Sequence, residues 1–137
     1  MTGIVVPCRH WDWKTNPASP LRWRKPYITR LKGELFDGMP TETQDRVFAV
    51  MALRPDVAFW IQTEFPDRMQ KYLDGMGKET EDYSDRWDAA RRWLRSQLTS
   101  PKDRKSMGRW EYVGVMMAYQ RWPLPNVHLE EFSVRPD

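Results

Sequence analysis

The chain has 137 residues, with 22 lysines and arginines against 19 aspartates and glutamates, eight tryptophans and one cysteine. This length predicts a single domain over residues 1–137. The single thiol of Cys8 excludes an internal disulfide and any zinc or iron–sulfur site that several cysteines of this chain would hold, so we expect no metal and no cofactor. No run reaches the roughly 18 apolar residues that cross a bilayer, which predicts a cytoplasmic protein without membrane contact.

Charge is distributed unevenly along the chain. Residues 1–32 carry a net charge of +6, residues 33–90 carry −7, and residues 91–137 carry +4. A chain that is basic at both ends and acidic in the middle is more typical of a self-complementary or partner-facing surface than of a uniform polyanion binder. Homo-oligomers are therefore among the expected assemblies.

The first half of the chain predicts an arm followed by a strand, a helix and a strand. Residues 1–26 contain four prolines and no sustained period, which indicates an irregular N-terminal arm. Residues 27–31 alternate and are rich in β-formers. A helix follows with Thr41 as N-cap and Gln44 placed as in a capping box. The apolar run of residues 57–61 predicts a strand buried on both faces, which completes a βαβ unit.

The second half predicts two further helices and a last strand. Pro66 is typical of the first turn of a helix, and residues 80–98 form the clearest helix because apolar side chains recur at helical spacing. Residues 100–106 indicate a basic loop, residues 107–120 are ambiguous, and residues 126–129 predict a strand. We therefore expect an α/β domain with a small, mainly parallel sheet of about three strands and packed helices.

Candidate catalytic groups are few. His10 and His128 are far apart in sequence, and neither has a second metal ligand three or four residues away. Cys8 has basic neighbours, which lower the pKa of a thiol, but no positioned base is evident from the sequence. No phosphate loop, dinucleotide motif or nucleophile elbow is present. The sequence therefore predicts no catalytic residue.

Arginine and tryptophan are interleaved at several places. Such pairs can stack on bases and neutralise phosphates, or they can bury the indole while the arginine lies along the surface. The candidate partner-binding residues are Trp11, Trp13, Arg22, Arg24, Lys25, Arg91, Arg92, Trp93, Arg109 and Trp110.

Three colinear stretches resemble one family. They are residues 20–26 (PLRWRKP), residues 35–73 with the helix start at Phe65-Pro66-Asp67-Arg68-Met69, and residues 122–127 (WPLPNV). Together they are similar to the phage gp thirty-seven / gp sixty-eight family of phages and prophages. The resemblance implies a radical-SAM-like α/β barrel whose cysteine-rich segment near the N-terminus holds an iron–sulfur cluster.

This chain departs from the family pattern where chemistry is expected. The cysteine-rich segment is missing, and the stretches 29–37, 62–69 and 128–134 differ from the family at the C-terminal ends of strands. Barrel enzymes carry their chemistry at those ends. The resemblance therefore implies a truncated, divergent relative that resembles a partial barrel of about three strands, keeps scaffold positions and has lost catalysis.

The leading hypothesis is a phage or prophage protein in the host bacterial cytoplasm that acts by binding a host or phage protein, with no catalysis of its own. Its concrete form is an inhibitor of a bacterial defence system of the anti-CRISPR type. One alternative is a nucleic-acid-binding protein that uses the arginine and tryptophan pairs. Another is a residual enzyme that binds a nucleotide or S-adenosylmethionine near Thr63, Glu64 and His128.

Overall fold

The computed structural model describes residues 8–25, 27–76, 81–106, 108 and 124–130. The strands are β1 (Cys8–Trp11), β2 (Ile28–Leu31), β3 (Phe59–Gln62) and β4 (Val127–Glu130). The helices are α1 (Thr41–Leu53), α2 (Pro66–Met76) and α3 (Glu81–Gln97), with a 3₁₀ turn at Ser19–Arg22. Among the helices described, none is long and apolar enough to cross a membrane.

The four strands form one parallel sheet in the order β1-β2-β3-β4, so the predicted α/β class is confirmed. Each strand pairs with the next one along the chain, which is the strand order of one part of a (β/α)₈ barrel. The βαβ unit predicted from the first half is present as β2, α1 and β3.

The sheet has one strand more than the three expected, and this additional strand, β1, lies in the N-terminal arm that was expected to be irregular. Its side chains are exposed at Cys8, Arg9 and His10 and buried only at Trp11. Four residues with one buried side chain carry no alternation that a sequence pattern could reveal. The strand forms because its backbone pairs in parallel with β2, from Cys8 beside Ile28 to Trp11 beside Leu31.

Two local predictions are wrong. The N-cap of α1 is Pro40 rather than Thr41, and no side chain caps that helix, because the Gln44 amide donates instead to the Leu35 carbonyl (3.1 Å). Residues 101–106 are helical rather than a loop. The Ser100 hydroxyl accepts a hydrogen bond from the Asp103 backbone N–H (3.1 Å), which is the N-cap geometry that starts a helix.

The core lies between one face of the sheet and the helices. Helix α1 is buried at every residue from Val47 to Leu53, as expected of a helix that is covered on all sides. On the sheet, Trp11 and Phe59 contact each other with ring centroids 5.7 Å apart. The predicted apolar stripe of α3 enters the same core through Trp87, Ala90, Leu94 and, beyond its end, Leu98.

A buried arginine attaches the N-terminal arm to the end of α1. The Arg54 side chain is 0% exposed and forms two hydrogen bonds with the Asp56 carboxylate (2.9 and 2.8 Å). It also donates to the carbonyls of Pro20 (2.8 Å) and Trp23 (2.5 Å). Because these carbonyls belong to the arm, Arg54 fixes the position of the arm on the core.

A buried amide fixes the start of β4. The side-chain nitrogen of Asn126 donates to three carbonyls near the end of α1 and the start of β3, those of Met51 (2.8 Å), Arg54 (3.0 Å) and Val57 (3.1 Å). Asn126 belongs to the WPLPNV stretch, so this stretch serves the scaffold at that position. The last strand is thereby held to the same helix as the arm.

Candidate binding surfaces

The structure removes Trp11 from the candidate contact residues. Its side chain is 1% exposed, packs on Phe59, and donates its indole N–H to the Asn16 carbonyl (2.9 Å). An indole that is covered by the core and hydrogen-bonded within the chain cannot reach a partner. Trp13 is also buried, with 3% of its surface exposed, but its ring lines a cleft on the helix side of the sheet.

The remaining arginine and tryptophan candidates that the structure describes differ in pairing and exposure. Arg22 is paired with Asp103, and Arg91 lies 3.7 Å from Asp88. Arg24, Lys25 and Arg92 are exposed. Trp93 is half-buried, whereas Arg109 and Trp110 lie outside the described residues.

The indole faces are engaged by arginines that are distant in sequence. The Arg9 guanidinium lies over the rings of Trp23 (5.0 Å) and Tyr27 (4.5 Å), and the Arg46 guanidinium lies over Trp93 (4.3 Å). At Trp23 and Trp93 the arginine over the ring is therefore one brought there by the fold and not the sequence neighbour. These ring faces contribute to packing, which is the second of the two interpretations of the interleaved residues.

The face of the sheet opposite the core carries one row of polar and aromatic side chains. The strand register places His10 beside Arg30, Arg30 beside Trp60, and Trp60 beside His128. His10 and Arg30 are exposed, and Trp60 and His128 are half-buried. We call this side of the sheet, with its further residues Ile28, Gln62 and Glu130, the open face.

Contacts within the open face cross from strand to strand. The rings of Trp60 and His128 are stacked, with centroids 4.7 Å apart and planes at 29°. Arg30 on β2 forms an ion pair with Glu130 on β4 (2.9 Å), so its side chain spans β3. At the edge of this row Ile28 is 36% exposed. The open face thus combines an aromatic pair, an internally neutralised ion pair and exposed apolar surface.

The strand end near Thr63 and Glu64 is occupied by a carboxylate of the chain itself. Glu34 accepts hydrogen bonds from the Thr63 hydroxyl (2.7 Å), the Glu64 backbone N–H (2.7 Å) and the Phe36 backbone N–H (3.0 Å). The Thr63 hydroxyl and the Glu64 N–H precede α2, whereas the Phe36 N–H lies in the segment between β2 and α1. Glu34 therefore occupies these three donors, and the alternative of a nucleotide or S-adenosylmethionine bound near Thr63, Glu64 and His128 stays a prediction.

A second surface is basic. The Arg22 guanidinium donates to both Asp103 oxygens (2.9 and 3.2 Å) and joins the arm to the helix at residues 101–106. This contact brings together two short basic stretches that are about 80 residues apart. We call the exposed cations beside this ion pair the basic patch: Arg24, Lys25, Lys102, Arg104 and Lys105.

A third surface is a cleft of about 380 Å³ on the helix side of the sheet. The segment after β1, the segment before α1, and the helices α1 and α3 form its walls. Its lining residues are Trp13, Lys14, Pro17, Met39, Thr43, Arg46, Val47 and Trp93. Of these lining residues, the sequence analysis named only Trp13 and Trp93 as candidates. The lining comes from three segments that are distant in the sequence and are brought together by packing, so no local pattern reveals it.

Within the part of the chain that the structure describes, no group of three or more histidine, cysteine, aspartate or glutamate side chains could hold a metal ion.

No protein-family model, no curated protein and no solved structure matches the chain. The resemblance to the phage family therefore stays a prediction. The described surfaces that could bind a partner or ligand are the open face, the basic patch and the cleft.

Proposed function

We propose that this chain acts by binding another protein through the open face, without catalysis of its own. The observation that carries this proposal is the exposure of His10, Ile28 and Arg30, which lie on one face of the parallel sheet. Parallel sheets are usually covered on both faces, because the crossover connections between their strands place helices over the faces. The described helices α1 and α3 pack on the core face, and the proposal assigns the exposed positions of the other face to a protein partner.

The chemistry of the open face fits a protein better than a polyanion. Arg30 is neutralised by Glu130, and the face of Trp60 is occupied by His128. A surface of this kind has little excess positive charge for phosphates. Protein interfaces, in contrast, combine aromatic groups and arginine in their centre with exposed apolar side chains such as Ile28.

The family resemblance supports the identity of the partner as a host or phage protein. In its most concrete form the partner is a component of a bacterial defence system, and binding inhibits that system. Expression of the chain in a strain with an active CRISPR system should then restore plating of a targeted phage. Unchanged plating would exclude inhibition of the CRISPR system, but it would not test the binding of another protein partner through the open face.

Site-specific photo-crosslinking tests the binding proposal. A benzophenone amino acid is placed at Ile28 on the open face and, as a matched control, at the exposed Lys71 on α2. In bacterial cells we expect one defined crosslinked protein from position 28 and none from position 71. The crosslink should be lost when Trp60→Asp is added. Equal crosslinks from both positions, or none from position 28, would refute the proposal.

A second candidate function is nucleic-acid binding, and the basic patch favours it. Its five cations are exposed, and none of them is paired with a carboxylate of the described residues. Fluorescence anisotropy with a labelled oligonucleotide at two salt concentrations tests this function, because phosphate contacts weaken steeply as salt rises. The triple change Lys102→Ala, Arg104→Ala and Lys105→Ala should remove binding, whereas Lys71→Ala should leave it intact. Binding that does not depend on salt would exclude the patch.

A further inference from the structure

The cleft on the helix side is independent of the open face and of the basic patch. Trp13 and Lys14 follow directly after the end of β1, and Met39 precedes the first turn of α1. The cleft therefore lies towards the C-terminal ends of the first two strands. Ligands of open α/β sheets are found on this side, outside the carboxyl ends of the strands.

The walls of the cleft are apolar except at three positions. Pro17, Met39 and Val47 contribute aliphatic surface, and the two tryptophans contribute aromatic surface. The polar groups are the Thr43 hydroxyl and the cations of Lys14 and Arg46. Small-molecule sites have this composition, with mostly apolar walls, a few polar groups and volumes of roughly 300–1,000 Å³.

The charge of the cleft is positive. Among the described residues that line the cleft, none is acidic. The carboxylate of Glu42 lies 4.0 Å from Arg46 at the limit of an ion pair, and 79% of its side chain is exposed to solvent, so it neutralises Arg46 only weakly. Lys14 and Arg46 sit over the rings of Trp13 (5.3 Å) and Trp93 (4.3 Å), which holds both cations at the apolar walls.

We propose that this cleft binds a small organic anion with a flat apolar body, such as an aromatic carboxylate. The apolar body would lie on Met39 and Val47, and the carboxylate would accept hydrogen bonds from Arg46 and Lys14. A free phosphate would leave the apolar walls without contact. A neutral ligand would leave two cations without a counter-charge beside apolar surface, which favours the amphipathic anion over both.

The test uses naphthalene-2-carboxylate and its neutral isostere naphthalene-2-carboxamide, titrated into the full chain in a calorimeter. We expect the carboxylate to bind about tenfold or more tightly than the carboxamide, because hydrogen bonds to charged groups contribute that much. Arg46→Met and Lys14→Met should each reduce this preference. Arg92→Met removes an exposed cation of α3 outside the lining and should change nothing.

Three results would overturn the proposal. They are equal affinity of acid and amide, the absence of binding by either compound to the folded chain, and a preference that Arg46→Met and Lys14→Met leave unchanged. Lys14 is exposed, so Lys14→Met tests the idea even where Arg46→Met unfolds the chain. A second copy of the chain would be the occupant instead if Thr43→Trp dissociated a dimer in sedimentation while neither compound bound.

Discussion

The two faces of the sheet differ in what covers their side chains. On the core face, Phe59 and Ile61 are 0% exposed and pack against the helices. On the open face the neighbouring residue Trp60 is half-buried, and Arg30 remains exposed while it pairs with Glu130. Residues adjacent in one strand thus belong to different environments, since successive side chains point to opposite faces. At β3 the core face is therefore the better covered of the two, whereas at the β4 edge Leu129, which lies beside Ile61 on the core face, is 37% exposed.

The largest effect is expected at Phe59, and it tests this division directly. Phe59→Ala should lower the free energy of unfolding by about 3–5 kcal/mol, because it removes a fully buried ring and leaves a cavity beside Trp11. Trp60→Ala removes a larger side chain one position away, yet it should cost only about 1 kcal/mol through the lost stacking on His128. Urea denaturation followed by far-UV circular dichroism measures both. Equal losses would show that both faces are covered.

The second prediction concerns the buried Arg54. Arg54→Met should lower the free energy of unfolding by about 3 kcal/mol, because hydrogen bonds to the carbonyls of Pro20 and Trp23 and to Asp56 are lost together. The same denaturation experiment measures this loss. In addition, Arg54→Met should accelerate hydrogen exchange of the backbone amides in the arm more than that of the amides in α3. A loss below about 1 kcal/mol would mean that the arm is held by its apolar contacts alone.

The third prediction is a small effect on the open face. Arg30→Met should change the free energy of unfolding by less than about 1 kcal/mol, because its ion pair with Glu130 is formed by an arginine that is half exposed. Thermal unfolding with Glu130→Gln and the double variant gives the coupling between the two groups. A coupling free energy well above about 1 kcal/mol would mean that the ion pair of Arg30 and Glu130 is shielded from water, which would contradict an exposed open face.

The sequence predicts best those elements whose pattern is local. The stripe of α3 is periodic over four turns, and the apolar run of residues 57–61 predicts β3 to within two residues. Trp60 is the exception, since a strand buried on both faces was expected and this side chain lies half-buried on the open face. A continuous apolar run does not reveal which of its two faces is covered.

Long-range contacts determine the features that the sequence did not reveal. Nothing near Arg54 indicates that it is buried, because the carbonyls that it binds lie 31 and 34 residues earlier in the chain. The row of the open face likewise takes one residue from each of four strands, and only the parallel register brings His10, Arg30 and His128 to one level. A sequence pattern within one element carries no information about such a row.

The smallest predicted effect concerns the pair of Arg22 and Asp103, whose arginine side chain is 47% exposed, whereas that of Arg54 in its pair with Asp56 is 0% exposed. The hydrogen bond from Arg22 is the main cause that lowers the pKa of the Asp103 carboxyl below its ordinary value of 3.8. A lowered pKa in the folded state stabilises the fold above the unfolded value, and this stabilisation is lost as the pH falls through the folded pKa. Stability from this pair should therefore decline only in the acid range below 3.8.

Arg22→Met should return the pKa of Asp103 towards its ordinary value, as measured by carbon-detected NMR titration of the side-chain carboxyl. Asp12 is the matched control, since hydrogen bonding by Thr15 lowers the pKa of its carboxyl and Arg22 takes no part in it. The pKa of Asp12 should therefore stay low in the variant. If both pKa values rise together, the substitution has loosened the arm as a whole. The contact between Arg22 and Asp103 would then act in folding, like that of Arg54, rather than only joining the two halves of the basic patch.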